Sequence, residues 1–553
     1  MATAATVLVF VVVPLALAYG GGSVHIPHND DWAFARITNT LADTGTLQLV
    51  GWNEMMLVTH AAWGWLFVEV LGPGSDSLAL SGAVAAALAL VGSYVVARHF
   101  LTPGRAALAC FTVAAFPGFS VLATTFMTDV TGFAFQVWSI AAGLRALSGG
   151  ERVRWRWVVV SLVLALAAFG AREFGILAGI AVLCGAWLVD RRGGAPRWRA
   201  PVASVALLGC AAILYRWRHT YPGNTPQFGG LDLPRLALAG ATSFFTIAFG
   251  LLVPLTLTTT RRTAATRPRI GLGVAAATGA FGIVVIAAHA ALGRPLSVFV
   301  GNLFTRFGPA GNALAGDRAA LFPASLWGLL LLLAVVAGGV VAGRGAAALQ
   351  AAYRRRSETL GRMAPKELVV GAWAVLTAAG LLFRSAFGGL LYDRYLWALV
   401  LPAAILLLRA APARQEPATR RAVAIAVALT SAVSLANVVG GQQYDVARWE
   451  AGERALARGA APEEVDAGFE WVGFHYDGVA GGDAPALSSP PRTWYLTRLF
   501  PHARNCYVVA ESELPDAHLE VVDEIRYRQW LVAGEKTLIL YRNPPACAGP
   551  SSG

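Results

Sequence analysis

Long apolar runs recur along this chain with short arginine-bearing breaks between them, and that pattern leaves few folds open. The runs fall near 5–21, 77–97, 106–118, 129–147, 158–172, 174–189, 201–215, 236–258, 271–292, 324–342, 368–384, 396–409 and 422–440. About 20 apolar residues in helical form cross the roughly 30 Å hydrocarbon core of a bilayer, where the backbone must satisfy its own polar groups. The chain therefore reads as a polytopic α-helical membrane protein with thirteen candidate spans, the shorter runs borrowing turns from their loops. Composition agrees, with 56% hydrophobic residues, 14% charged and a mean hydropathy of +0.56. The net charge of +12 does not point to nucleic acid, because the basic residues are scattered between the runs instead of gathered on one aromatic-laced face.

Those basic residues orient the chain. With the N-terminus in the cytoplasm, the inner loops hold twenty-four Arg or Lys and the outer loops before the tail hold ten. The excess is what the positive-inside rule requires, and it puts the Arg354-Arg355-Arg356 loop inside and the C-terminal tail outside. Ala16-Leu17-Ala18 has the small-residue style of a signal-peptide site, but no Lys or Arg precedes the run, so the first span reads as uncleaved.

The outer loop 22–76 opens with His28-Asn29-Asp30-Asp31-Trp32. Acids at a membrane boundary are costly to place and are functional candidates by default. Asp30 and Asp31 are also suited to capping the helix that Trp32, Phe34, Ile37 and Leu41 predict, and the residues alone leave both readings open. The loop is dense in Trp and Phe, which predicts short interfacial helices, and it carries His60. Three more outer-side features follow. Asp129, in Thr128-Asp129, is a site candidate or a cap of the fourth span; Arg172-Glu173 is a tight-turn ion pair or a substrate contact; Arg394-Tyr395, ahead of Pro402, puts a phosphate-matching fork at a helix mouth. The outer loops 216–235 and 293–323 carry Arg216, Arg218, His219, Arg294 and Arg306, facing a cavity or lipid headgroups.

From Gln442 the composition turns polar. Residues 1–441 read as the membrane region and 442–553 as a small exported α+β domain. In that domain Asp445–Gly459 is a predicted amphipathic helix, and Trp494–Leu499, Cys506–Ala510, His518–Arg526 and Lys536–Tyr541 alternate like strands. Asp466–Trp471 reads as core packing with a turn at Gly468. Cys506 and Cys547 are its two cysteines and are expected to pair, whereas Cys110, Cys184 and Cys210 lie in apolar runs.

Taken in order, the acidic pair, the interfacial loop, Thr128-Asp129, Arg394-Tyr395-Leu396 with Pro402, and the exported tail resemble the polytopic lipid-phosphate-dependent glycosyltransferases of the GT-C superfamily. The nearest group is the family 39-like one that contains protein O-mannosyltransferases and the lipid A aminoarabinose transferases. Asp30-Asp31-Trp32-Ala33-Phe34-Ala35 looks like that group's Asp-(Asp/Glu)-x-x-x-Ala pattern, while Val58-Thr59-His60-Ala61-Ala62 departs from its usual basic residue and Pro pair. The resemblance implies an inverting, mannosyltransferase-like enzyme of the cell envelope, in the inner membrane of a bacterium. Its donor is a polyprenyl-phosphate sugar and its acceptor a lipid, glycan or protein. On the same resemblance Asp30 is the general base, and Asp31 and Asp129 position the acceptor. Arg394, Tyr395, Arg172, Glu173 and His60 bind substrate, and a divalent cation at Asp30 and Asp129 is left open. The alternative from another class is a transporter or lipid flippase of envelope precursors, which requires ionisable residues in mid-span and a pseudo-repeat.

Overall fold

A computed structural model describes residues 1–49, 55–149, 152–221, 229–258, 269–291, 297–309, 314–354, 364–413, 415–476, 488–532 and 534–547. Arg294, Arg355 and Arg356 lie outside the described residues. Each of the thirteen apolar runs is helical over most of its described length, and nine helices among the described residues are long and apolar enough to cross a membrane.

After α1 (Ala2–Gly21) come α2 (Asp31–Thr44) and α3 (Val58–Leu71), the two loop helices expected between the first two spans. The bundle continues with α4 (Ser75–Arg98), α5 (Pro103–Ala114), α6 (Thr128–Ala146), α7 (Trp155–Ala171), α8 (Ile176–Arg192) and α9 (Arg199–Arg218). It closes with α10 (Leu233–Gly250), α11 (Arg269–Ala291), α12 (Ala324–Arg354), α13 (Pro365–Ala386), α14 (Trp397–Arg409) and α15 (Pro417–Leu456). Lipid gives helices no hydrophobic drive to associate, so close backbone approach at small residues matters. At Gly143 of α6 an added Cβ would stand 2.2 Å from Val182 of α8, and at Gly170 of α7 it would stand 2.3 Å from the Thr59 hydroxyl of α3. The first contact packs α8 against α6 near the C-terminal end of α6, and the second packs α3 against α7.

The tail differs from expectation in two places. The helix predicted to begin at Asp445 is the end of α15, a 40-residue helix that runs through the 441/442 boundary without a break. Forty residues span about 60 Å, roughly twice a bilayer core, so half of α15 stands clear of any bundle. Its far half packs Tyr444, Ala447, Ala451 and Ala455 against Trp471, Val509, Ile525 and Leu540. The stretch Trp494–Leu499, expected as a strand, is instead the short helix α17 (Trp494–Arg498), which follows α16 (Phe469–His475). Tyr495 is buried against Phe469 and its hydroxyl donates to Asp466, contacts made from the helical turn.

The other three expected strands form, within two residues of the bounds read, and three short strands join them that the sequence did not suggest. A two-residue hairpin, β1 (Phe304–Thr305) with β2 (Gly308–Pro309), lies in the long loop before α12. The tail sheet comprises β3 (Val465–Asp466), β4 (Tyr507–Ala510), β5 (Glu520–Arg528) and β6 (Glu535–Arg542) in the order β3-β4-β6-β5. The β3–β4 pair is parallel and the others antiparallel. Cys506 and Cys547 are joined in a disulfide with Cα atoms 4.7 Å apart. Gly468 turns with φ +105°, as the sequence suggested.

Candidate active site

Asp129 is the second residue of α6, near the positive end of the helix dipole. Its carboxylate is clamped by two buried arginines from distant parts of the chain. The Arg172 Nη2 donates to Asp129 Oδ2 at 2.8 Å, and the Arg394 Nε lies 3.5 Å from Oδ1. Arg172 sits at the end of α7, where the backbone turns extended (φ −147°) before the short turn Glu173–Gly175. Arg394 sits in the turn Asp393–Leu396 that leads into α14.

Tyrosines stack against both cations. Arg172 lies 5.3 Å from the Tyr395 ring and donates to its hydroxyl at 3.4 Å; Arg394 lies 4.9 Å from the Tyr392 ring and 5.6 Å from Tyr395. Burial alone would lower the Arg394 proton affinity, but Asp129, Tyr395, Asp30 and Tyr392 outweigh it and hold it above the ordinary value. Asp30 is thus within electrostatic reach of Arg394, although 364 positions separate them in sequence (394 − 30).

Arg172, Arg394, Asp129 and Tyr395 line a small cavity with Gln136, Thr377 and Trp397. Arg172 Nε and Arg394 Nη1 have no hydrogen-bond partner among the described residues. Buried N–H groups of charged side chains are costly to leave unpaired, so they point to an anion that pairs with them.

The two acids of the pair face different partners. Asp30 occupies the N-cap position of α2 but makes no side-chain cap bond. Asp31 Oδ1 accepts from the His28 amide at 2.7 Å and the same carboxylate receives the Phe126 amide, tying α2 to the segment that starts α6. Burial pushes the Asp31 carboxyl up to about 7, against the opposing pull of His28 and those amides.

His60 is packed between the Phe126 ring, stacked 4.0 Å away, and the edge of Phe34. Its Nδ1 pairs with the Thr131 hydroxyl at 3.1 Å and its Nε2 with the Phe126 carbonyl at 3.3 Å, so both ring nitrogens are engaged by α6 and its approach. Glu173 accepts the Met56 amide at 2.9 Å. The tight-turn ion pair expected of Arg172-Glu173 is therefore replaced by two long-range contacts. The extended backbone at Arg172 sends the adjacent side chains to Asp129 and Met56 respectively.

Sequence reasoning passed over Tyr392 and Asp393 while reading the residues beside them. Asp393 is fully buried and accepts the Phe304 amide at 3.1 Å and the Arg394 amide at 2.8 Å, anchoring the turn that presents Arg394. An acid next to a chosen arginine was the available signal. A divalent cation fits poorly at Asp129, whose oxygens already face two guanidiniums, and no cluster of three His, Cys, Asp or Glu occurs among the described residues.

Residues 59–217, which include Asp129 and Arg172, match the family model described as dolichyl-phosphate-mannose-protein mannosyltransferase. That match covers less than a third of the chain. Solved structures similar to this chain include ArnT from Cupriavidus metallidurans bound to undecaprenyl phosphate, at a TM-score of 0.41 and 14% identity over 97% of each chain. Another is the oligosaccharyltransferase AglB from Archaeoglobus fulgidus in complex with an inhibitory peptide and a dolichol-phosphate, at 0.39 and 16% identity over 80% of this chain and 57% of that one. Both are too distant to carry substrate or residue roles to this protein. No curated protein matches it.

Proposed function

We propose that this chain moves a sugar from a polyprenyl-phosphate donor to an acceptor hydroxyl by a single inverting displacement at the tail-bearing end of its bundle. The observation that carries this is the clamp of Asp129 between Arg172 and Arg394, with N–H groups of both guanidiniums left over. A guanidinium fork with spare donors suits phosphate oxygens, and two of them suit a phosphate that gains charge as it leaves. The family description, which names a dolichyl-phosphate-linked sugar, supports the same donor class; its match spans Asp129 and Arg172 but not Asp30 or Arg394.

In this reading the acceptor oxygen attacks the anomeric carbon while the bond from that carbon to the phosphate oxygen breaks. The electron pair leaves with the lipid phosphate and the acceptor's proton passes to the Asp30 carboxylate. Arg172 and Arg394 take up the developing charge without rearranging, because Asp129, Tyr395 and Tyr392 already hold them. Asp31, His60 and Glu173 brace the loop and the start of α6. On the arginine asymmetry, this end of the bundle and the tail face outward from a bacterial inner membrane.

A transporter or flippase places its ionisable groups in mid-span. Here Asp129 opens a helix, Arg172 follows one and Arg394 precedes one, which favours transfer.

Transfer of label from a polyprenyl-phosphate sugar by purified protein tests the assignment. Asp30→Asn keeps the shape but cannot accept a proton, so the rate is expected to fall by about 10²–10⁴-fold. Arg394→Ala is expected to cost about 2–4 kcal/mol of transition-state stabilisation and to weaken donor binding. An Asp30→Asn protein with near wild-type turnover would rule out Asp30 as the base.

A further inference from the structure

The tail reaches back to the segment that carries Asp30. Asn29, held at φ +57°, donates its amide to Glu470 Oε1 of α16 at 3.1 Å. Glu470 Oε2 in turn accepts from Arg448 Nη1 at 2.6 Å, and Arg448 Nη2 donates to Asp445 Oδ1 at 3.0 Å. Asp445 Oδ2 closes the circuit by pairing with His28 Nδ1 at 3.1 Å.

Apolar packing follows the same path. Trp32 is 2% exposed, lies 6.2 Å from the rings of both Phe469 and Phe500, and presses so closely on Gly473 that an added Cβ would stand 2.4 Å from it. Arg36 Nη2 donates to the Phe474 carbonyl at 3.1 Å. Residues on both sides of Asp30 are thus fastened to α16 and to the far end of α15. Asparagine tolerates the left-handed backbone better than most residues, and at Asn29 the bond to Glu470 ties that turn to the tail.

We infer that Glu470 is a positioning residue for the transfer reaction, the tail holding Asp30 in place through the Asn29 amide. This rests on Asp30 as the base. A merely structural tail would set how much folded protein exists. A positioning tail sets the turnover of each folded molecule.

The test is a double-mutant cycle in the full-length protein, with label transfer from a polyprenyl-phosphate sugar measured at saturating donor. Glu470→Ala is expected to lower kcat by about 10–100-fold, the scale set by misplacing a reacting group by about 1 Å. Donor KM is expected to stay within about 3-fold, since the arginine pair is untouched, and coupling makes losses at connected sites non-additive. Added to Asp30→Asn, the second change is therefore expected to cause no further loss. Should Glu470→Ala not accumulate, Glu470→Gln carries the same cycle, because Asn29 and Arg448 donate to different carboxylate oxygens and glutamine keeps only one acceptor oxygen. A loss that multiplies in the Asp30→Asn background, or unchanged kcat for a folded Glu470 variant beside an inactive Asp30→Asn, overturns the inference and leaves the proposed reaction standing. Full activity of Asp30→Asn itself overturns both.

Discussion

Asp30 and Asp31 are neighbours in sequence, yet their carboxylates are set to different tasks by what surrounds them. Asp31 is turned to the backbone amides of His28 and Phe126, and its burial raises its affinity for a proton to about 7. A carboxyl that binds its proton more tightly folded than unfolded adds stability below its unfolded pKa of 3.8, and that stability is lost as the pH rises through about 7. Asp31→Asn keeps an oxygen for the His28 amide and does not titrate. Relative to this variant, the thermal midpoint of the wild type is expected to decline between about pH 4 and pH 7 and then to run level. Midpoints recorded across that range in detergent check this, and parallel curves would show that Asp31 is not held protonated. At Arg172 and Arg394 the residue type was legible because each interrupts an apolar stretch at the outer end of a span. Their sharing of Asp129 was not, since three residues from three helix ends meet only after the bundle packs.

At the scale of elements, the start of α6 is held from several sides, and one of them is steric. A Cβ at Gly82 of α4 would stand 2.2 Å from the Thr125 carbonyl oxygen, a backbone atom with nowhere to swing. Gly82→Ala is expected to displace the Thr125–Met127 approach to Asp129 and to destabilise the protein by about 1–3 kcal/mol, with a loss of transfer activity. Gly273→Ala on α11 has open space around it and serves as the neutral comparison. Thermal midpoints and transfer rates of the two variants check this, and equal behaviour would mean that the α4–α6 contact is slack. The helices themselves were readable from apolar runs because each needs only its own residues to satisfy its backbone in lipid. Two features escaped that logic. The run 422–440 showed a span but not that its helix continues through Leu456, since the polar half of α15 is stabilised by the tail core. Trp494–Leu499 has β-prone residues whose short helix is fixed by the burial of Tyr495 beside Asp466, which accepts its hydroxyl.

For the whole molecule, the account makes one membrane enzyme from a bundle that holds the phosphate end of the donor and a tail that steadies the base. The arginine asymmetry predicts the tail on the outer side. A cysteine placed at exposed Ala517 is expected to react in intact cells with an impermeant reagent, while one placed at Arg356 reacts only after lysis. The opposite pattern would reverse the orientation.

The central claim is that the anomeric carbon–oxygen bond breaks and the phosphate stays with the lipid. A polyprenyl-phosphate sugar labelled both in the sugar and in the phosphorus, given to the purified protein with envelope membranes lacking it, tests this directly. The account predicts that sugar label appears in the acceptor while all phosphorus label remains as free polyprenyl phosphate, and that Asp30→Asn and Arg394→Ala each suppress that separation. Labels that move to the acceptor together, or a donor that crosses the membrane with both labels still joined, would contradict it.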